Sequence, residues 1–139
     1  MTRRHADPVK RYLMERGVRD DLVDGGLAGL VARWAAIVGE IARGYQLTLD
    51  DYLNDMDVRD MIAGALAVAQ DADRHAIDDQ LASADRRLHD ITIPSSLLSR
   101  LANPENPPNP ENPPNPGWWY SRIPRHPGKP LEADLARLG

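Results

Sequence analysis

The chain carries twelve prolines, and none falls between Val9 and Ile93. Proline removes a backbone donor and its ring clashes with the preceding helical turn. Long helices are therefore open to the stretch from Val9 to Ile93 and closed to most of the chain beyond it. The distribution predicts a helical body and an irregular C-terminal third. A length of 139 residues suits one hydrophobic core. With 42% hydrophobic and 27% charged residues, the composition is globular rather than disordered.

Helical spacing fills the body. Asp7-Pro8 reads as an N-cap and first helical position, with Val9, Tyr12 and Leu13 on the apolar side and Gly17 as a left-handed stop. A short piece begins at Asp20 or Asp21 and is interrupted by Gly25-Gly26. Leu27, Leu30, Val31, Trp34, Val38, Ile41 and Tyr45 then recur at three- and four-residue steps, and Gly44 ends that helix. Thr48 caps the next helix, with Asp51 in the reciprocal position of a capping box. Two stripes come after it, Leu49-Tyr52-Leu53-Met56 and Val58-Met61-Ile62-Ala65-Leu66-Ala69. They are out of phase, which predicts a kink near Asn54–Asp57. Ile77, Leu81, Ala84, Leu88 and Ile91 repeat at 4-3-4-3 spacing, a seam for one neighbouring helix. Pro94 stops that helix, and Ser95 to Ala102 predicts a short one.

The C-terminal third opens on a repeat. Asn103-Pro-Glu-Asn-Pro-Pro108 recurs unchanged as Asn109-Pro-Glu-Asn-Pro-Pro114, and Asn115-Pro116-Gly117 begins a third copy. Such proline density favours an extended polyproline II spacer. It offers Pro107-x-x-Pro110 and Pro113-x-x-Pro116, but no basic residue flanks them to orient a docked complex. Trp118-Trp119-Tyr120-Ser121-Arg122-Ile123 then reads as a short extended strap, and Pro130 opens a last helix with Leu131, Leu135 and Leu138.

Charge and composition exclude several functions. Residues 1–20 sum to +3, residues 21–93 to −8 and residues 94–139 to +1. The acidic middle is the opposite of the basic stripe that nucleic-acid binding requires. With no cysteine, disulfides, thiolate metal sites and thiol catalysis are out. No apolar run of the length of a membrane span is expected, and Arg3-Arg4 lacks the apolar segment of a secretion signal. A cytoplasmic protein with no cofactor is the expectation, its partner another protein rather than nucleic acid or membrane.

Tests for site chemistry also fail. The run from Asp50 to Asp60 is dense in acids, but an EF-hand counted from Asp55 would need Gly at Asp60 and Glu at Leu66. Asp50-Asp51-x-x-Asn54 lacks the second acidic motif of diphosphate-binding enzymes, so helix capping is the simpler role. Asp71/His75 and Asp85/His89 are spaced as helical surface pairs. On that helix the two histidines stand roughly 21 Å apart at 1.5 Å per residue, too far to share an ion. No serine sits in a nucleophile motif. Gly25-Gly26-Leu27-Ala28-Gly29 precedes a helix without the strand or lysine of a phosphate loop.

Tyr12-Leu-Met-Glu-Arg16-Gly17, the run Gly44 to Arg59, and Trp118-Trp-Tyr-Ser-Arg122-Ile-Pro124 resemble blocks from a group of short bacterial helical proteins. The resemblance implies only a cytoplasmic helical domain, since no activity attaches to that group. The reading is an all-α, single-domain helical bundle with a proline-rich extended loop and a C-terminal aromatic strap: residues 1–102 as body, 103–117 as spacer, 118–139 as strap and short helix. The expected function is non-enzymatic: a protein-interaction module whose acidic face meets a basic partner, in the manner of an antitoxin or immunity protein. The alternative is a small enzyme or ligand-binding protein holding an anion at an arginine and aromatic cleft that also takes in Trp34 and Tyr45. Candidate binding residues across the two readings are Asp50, Asp51, Tyr52, Asp55, Asp57, Arg59, Trp118, Trp119, Tyr120 and Arg122, with no catalytic or metal-ligating residue among them.

Overall fold

A computed structural model describes residues 7–98 and 117–138. The proline repeat and the part of the expected Ser95–Ala102 helix beyond Leu98 lie outside these. The described chain is a small all-α domain with one two-stranded sheet. Helix α1 spans Pro8–Arg16, and the Asp7 side chain accepts the Lys10 amide at 3.1 Å. At its far end the Gly17 and Val18 amides return to the Met14 and Leu13 carbonyls.

Helix α2, Asp20–Ala42, is the spine of the bundle. Gly26 breaks its helical geometry at φ 61°, ψ −157°, a conformation open in practice to glycine alone. Beyond the break, Leu30, Val31, Trp34, Ile37, Val38 and Ile41 are buried. Their arc is wide because α1, α3 and α4 all pack on this helix. By length and composition alone α2 is also apolar enough to cross a membrane, contrary to the sequence expectation. Ten of its residues are buried inside the bundle.

Helix α3 spans Leu49–Val68 and α4 spans Asp71–Ile91. The Thr48–Asp51 capping box forms in both directions. The kink expected near Asn54–Asp57 is absent. Its two stripes are two faces of one continuous helix, which α1, α2 and the C-terminal helix contact on different sides. Helix α4 buries Ile77, Leu81, Ala84 and Leu88, the predicted seam, against α2.

Strand β1, Thr92–Pro94, pairs antiparallel with β2, Arg122–Pro124, so Ile93 faces Ile123. The extended run expected over Trp118–Ile123 is met at its end, where Arg122 and Ile123 lie in β2, whereas no sequence pattern points to β1. Ahead of β2, Trp118–Ser121 forms a 3-10 turn instead of the expected extended run. The Tyr120 amide bonds back to the Gly117 carbonyl at 3.0 Å and closes that turn. The last helix, α5, spans Lys129–Leu138 and buries Leu131 and Leu135. It docks on α3, where Asp134 accepts the Leu49 amide at 3.0 Å.

Candidate functional site

The acidic run on α3 does not form one surface. Successive helical residues point about 100° apart, and its carboxylates meet different neighbours. Asp51 accepts both the Thr48 amide and hydroxyl, at 3.2 and 2.9 Å. Asp55 is buried and accepts the Tyr45 hydroxyl at 2.5 Å, with Arg33 3.6 Å away. Tyr45 in turn meets Tyr52 edge-on at 5.2 Å. Asp57 pairs with Arg16 of α1 at 2.6 Å. Asp60 accepts the Tyr120 hydroxyl at 3.2 Å. Asp50 is exposed.

The arginine and aromatic residues do come together, in a buried network. Arg59 of α3 grips Asp85 of α4 with two bonds, at 3.0 and 2.9 Å. Asp85 also accepts the Trp34 indole N–H at 2.9 Å, so three helices meet on one carboxylate. The expected Asp85/His89 surface pair is therefore not formed, because Asp85 turns inward to the arginine. Asp71 likewise pairs with Arg74, and His75 lies 3.9 Å from Asp78. The Arg59 guanidinium stands 4.7 Å from the Trp119 ring centroid, a cation–π contact that seats the 3-10 turn on α3. Trp118 packs edge-on against Trp119 at 5.8 Å.

Arg122 meets no carboxylate among the described residues. It donates to the Thr92 hydroxyl at 2.8 Å and to the Thr92 and His89 carbonyls at 2.9 and 3.3 Å. A cation at a helix C-terminus complements the dipole and satisfies orphan carbonyls. The strap thus caps α4 with Arg122. Burial, with Arg125 nearby, lowers the pKa of this guanidinium.

Three buried polar atoms in this region have no hydrogen-bond partner: the Tyr52 hydroxyl, Arg59 Nη1 and Trp119 Nε1. Trp119 Nε1, though outside hydrogen-bond geometry, is near enough to Asp60 to favour its charged form. Burial raises the Asp55 carboxyl above its ordinary range, against the opposing pull of the Tyr45 hydroxyl and Arg33. Burial raises Asp60 as well, against the Tyr120 hydroxyl. The three hydroxyls of Tyr45, Tyr52 and Tyr120 are all pushed up, first by burial and then by neighbouring carboxylates.

A separate opening lies at the other end of the bundle. A cavity of about 230 Å³ sits between α1, the α2 break and the first turns of α4. Val9, Leu27 and Ile77 give it an apolar floor, with Asp7, Asp24 and Asp73 around it. A shallower cavity of about 530 Å³ shares Asp7, Lys10 and Asp24 with it and reaches Arg11, Met14 and Glu15. Sequence reading missed this place. The Gly25-Gly26 pair was its one visible signal, while Lys10 and Asp73 arrive from α1 and α4. No three carboxylates or imidazoles among the described residues lie close enough to hold a metal ion.

Comparison with protein-family models, curated proteins and solved structures gives no match for this chain. The resemblance to short bacterial helical proteins thus gains no counterpart, and function rests on the geometry alone.

Proposed function

We propose that this domain is a non-enzymatic protein-interaction module that engages a basic partner through an acidic surface on α4. The observation that carries the reading is the exposure of the first half of α4. Asp71, Asp78 and Asp79 stand in solvent there within about 100° of helical arc, and Arg74, the one arginine beside them, is taken by Asp71. On α3, by contrast, Asp51, Asp55, Asp57 and Asp60 are bonded to the protein's own groups, and Asp50 is left as its exposed acid. Clustered like charge on a surface raises the encounter rate with an oppositely charged partner and weakens with salt. An inhibitor of a basic protein is one form such a module takes.

The test is binding to poly-L-arginine at two salt concentrations. Replacing Asp71, Asp78 and Asp79 by lysine is expected to weaken binding about tenfold or more, two or more charge contacts being lost. The same charge change at Asp20, Asp50 and Glu132, exposed elsewhere, is expected to weaken it far less. Equal losses for the two triple variants would show a response to net charge alone and remove the reading.

A second reading is supported by the three buried atoms without partners. Tyr52, Arg59 and Trp119 would then hold a small anion between α3 and the strap, with the charge of Arg122 nearby. Titration with inorganic phosphate, followed by tryptophan emission, is expected to give a saturable change in that case. A flat titration removes it.

A further inference from the structure

The cavity beside the α2 break has features that its neighbours do not use. Its floor is aliphatic, from Val9, Leu27 and Ile77. Asp24 and Asp73 stand at its edge with no ion pair or side-chain hydrogen bond among the described residues. Lys10 lies along the Gly26 backbone, its Cε 3.9 Å from where a Cβ would sit, and reaches no carboxylate within 4.0 Å. Across the joined cavities four acids (Asp7, Glu15, Asp24, Asp73) outnumber two bases (Lys10, Arg11), leaving a net charge of −2. Gly26 is required by its positive φ, whereas Gly25, at a helical position, costs about 1 kcal/mol relative to alanine. A Cβ at Gly25 would meet no atom within 4 Å, so packing does not explain the glycine there. What Gly25 leaves is open space.

We propose that this cavity is a slot for an arginine side chain carried by the basic partner. The proposal rests on the interaction reading above and names the contact within it. An arginine has an apolar stem that lies well on an aliphatic floor. Its planar guanidinium presents five N–H donors across a fork several ångströms wide. Asp24 comes from α2 and Asp73 from α4, and no group of three acids or imidazoles among the described residues gathers here to hold a metal ion. A spread planar cation can meet carboxylates on two walls, where a compact ammonium meets one. Arginine seated in a pocket is also a recurrent anchor of protein interfaces.

The experiment is amide NMR of the full chain titrated with Nα-acetyl-arginine methylamide. Shifts are expected at Gly25, Gly26, Leu27, Ala28, Asp73 and Ile77, saturating together. The citrulline counterpart has the same shape without the charge and is expected to leave those amides in place. The lysine counterpart is expected to bind at least several-fold more weakly. Asp24→Asn is expected to reduce affinity about tenfold, and Gly25→Leu, which fills the slot at a helical position with free space, to abolish it. Citrulline shifts equal to those of arginine, lysine binding as tight as arginine, or arginine shifts scattered over the acidic surface would each overturn the slot. Undiminished binding in both Asp24→Asn and Gly25→Leu would do so too. Because neither variant touches Asp71, Asp78 or Asp79, poly-L-arginine binding that survives them leaves the interaction reading standing while the slot fails. Loss of all poly-L-arginine binding by the wild-type chain removes both.

Discussion

Asp60 shows how a single carboxylate is both useful and costly. It receives the Tyr120 hydroxyl and so helps seat the strap, yet burial raises its pKa. A carboxyl held above its unfolded value keeps its proton in the native state over a range where the unfolded chain has lost it. Stability then falls as pH rises through the window between the ordinary value, about 4, and the raised native one. Above that window the cost of burying the charge is fully present. Asp60→Asn keeps an acceptor for Tyr120 and removes the charge. The variant is expected to hold its largest advantage in urea midpoint over wild type near pH 7, and to lose that advantage on acidification toward pH 4. An advantage that grows on acidification would mean that the native carboxylate is stabilised rather than strained. Asp55 has the same sign. None of this was legible in the sequence, where both residues look like members of one solvated acidic face. Their separation comes from helix geometry and from partners far along the chain: Tyr120 for Asp60, and Tyr45 with Arg33 for Asp55.

Among the elements, the crossing of α1 over α3 depends on one position. A Cβ added at Gly64 would lie 1.9 Å from the Tyr12 hydroxyl and 2.3 Å from its ring carbon Cζ. Gly64→Ala gains about 1 kcal/mol of helix propensity. Overpacking against the ring is expected to outweigh that gain, for a net loss of about 1–3 kcal/mol in urea denaturation. In a Tyr12→Ala background the same substitution is expected to turn neutral or stabilising. Additive effects of the two changes would show that the helices do not meet there. Local signals were good guides at this scale. The Asp7 cap, the Thr48 capping box, the interruption at Gly25-Gly26 and the Ile77–Leu88 seam all form, since each depends on residues within a turn or two. The expected α3 kink failed because a stripe pattern records how many neighbours a helix has, and α3 has several. The β1–β2 pair and the inward turn of Asp85 involve partners some thirty and twenty-six residues away, and no local pattern announces them.

At the scale of the molecule, the strap closes the chain on itself. The Arg59–Trp119 contact, the Tyr120–Asp60 bond and the Arg122 cap of α4 bring the C-terminal segment back over three points of the helical body. The all-α class was readable from proline-free length and helical period. The way the strap joins that body was not, because its contacts come from a turn and a short sheet rather than from the extended run the aromatic residues suggested. The same holds for binding. Asp24, Asp73 and the floor from Val9, Leu27 and Ile77 converge from three helices, with only a glycine pair to mark them beforehand.

The small sheet also bears on how this gene can change. The Ser95 amide bonds to the Ser121 carbonyl at 2.8 Å beside the β1–β2 ladder, so the chain is held together at the two points that bracket the hexapeptide repeat. Closing a loop costs entropy only as the logarithm of its length, about 0.6 kcal/mol per doubling. Removing one six-residue NPENPP copy is therefore expected to shift stability by less than about 0.5 kcal/mol, as read from urea midpoints of the deleted and wild-type chains. A much larger shift would mean that the repeat itself holds the body together. A chain held at those two points is expected to tolerate the gain or loss of hexapeptide copies, such as slippage during replication produces, with the β1–β2 pairing kept.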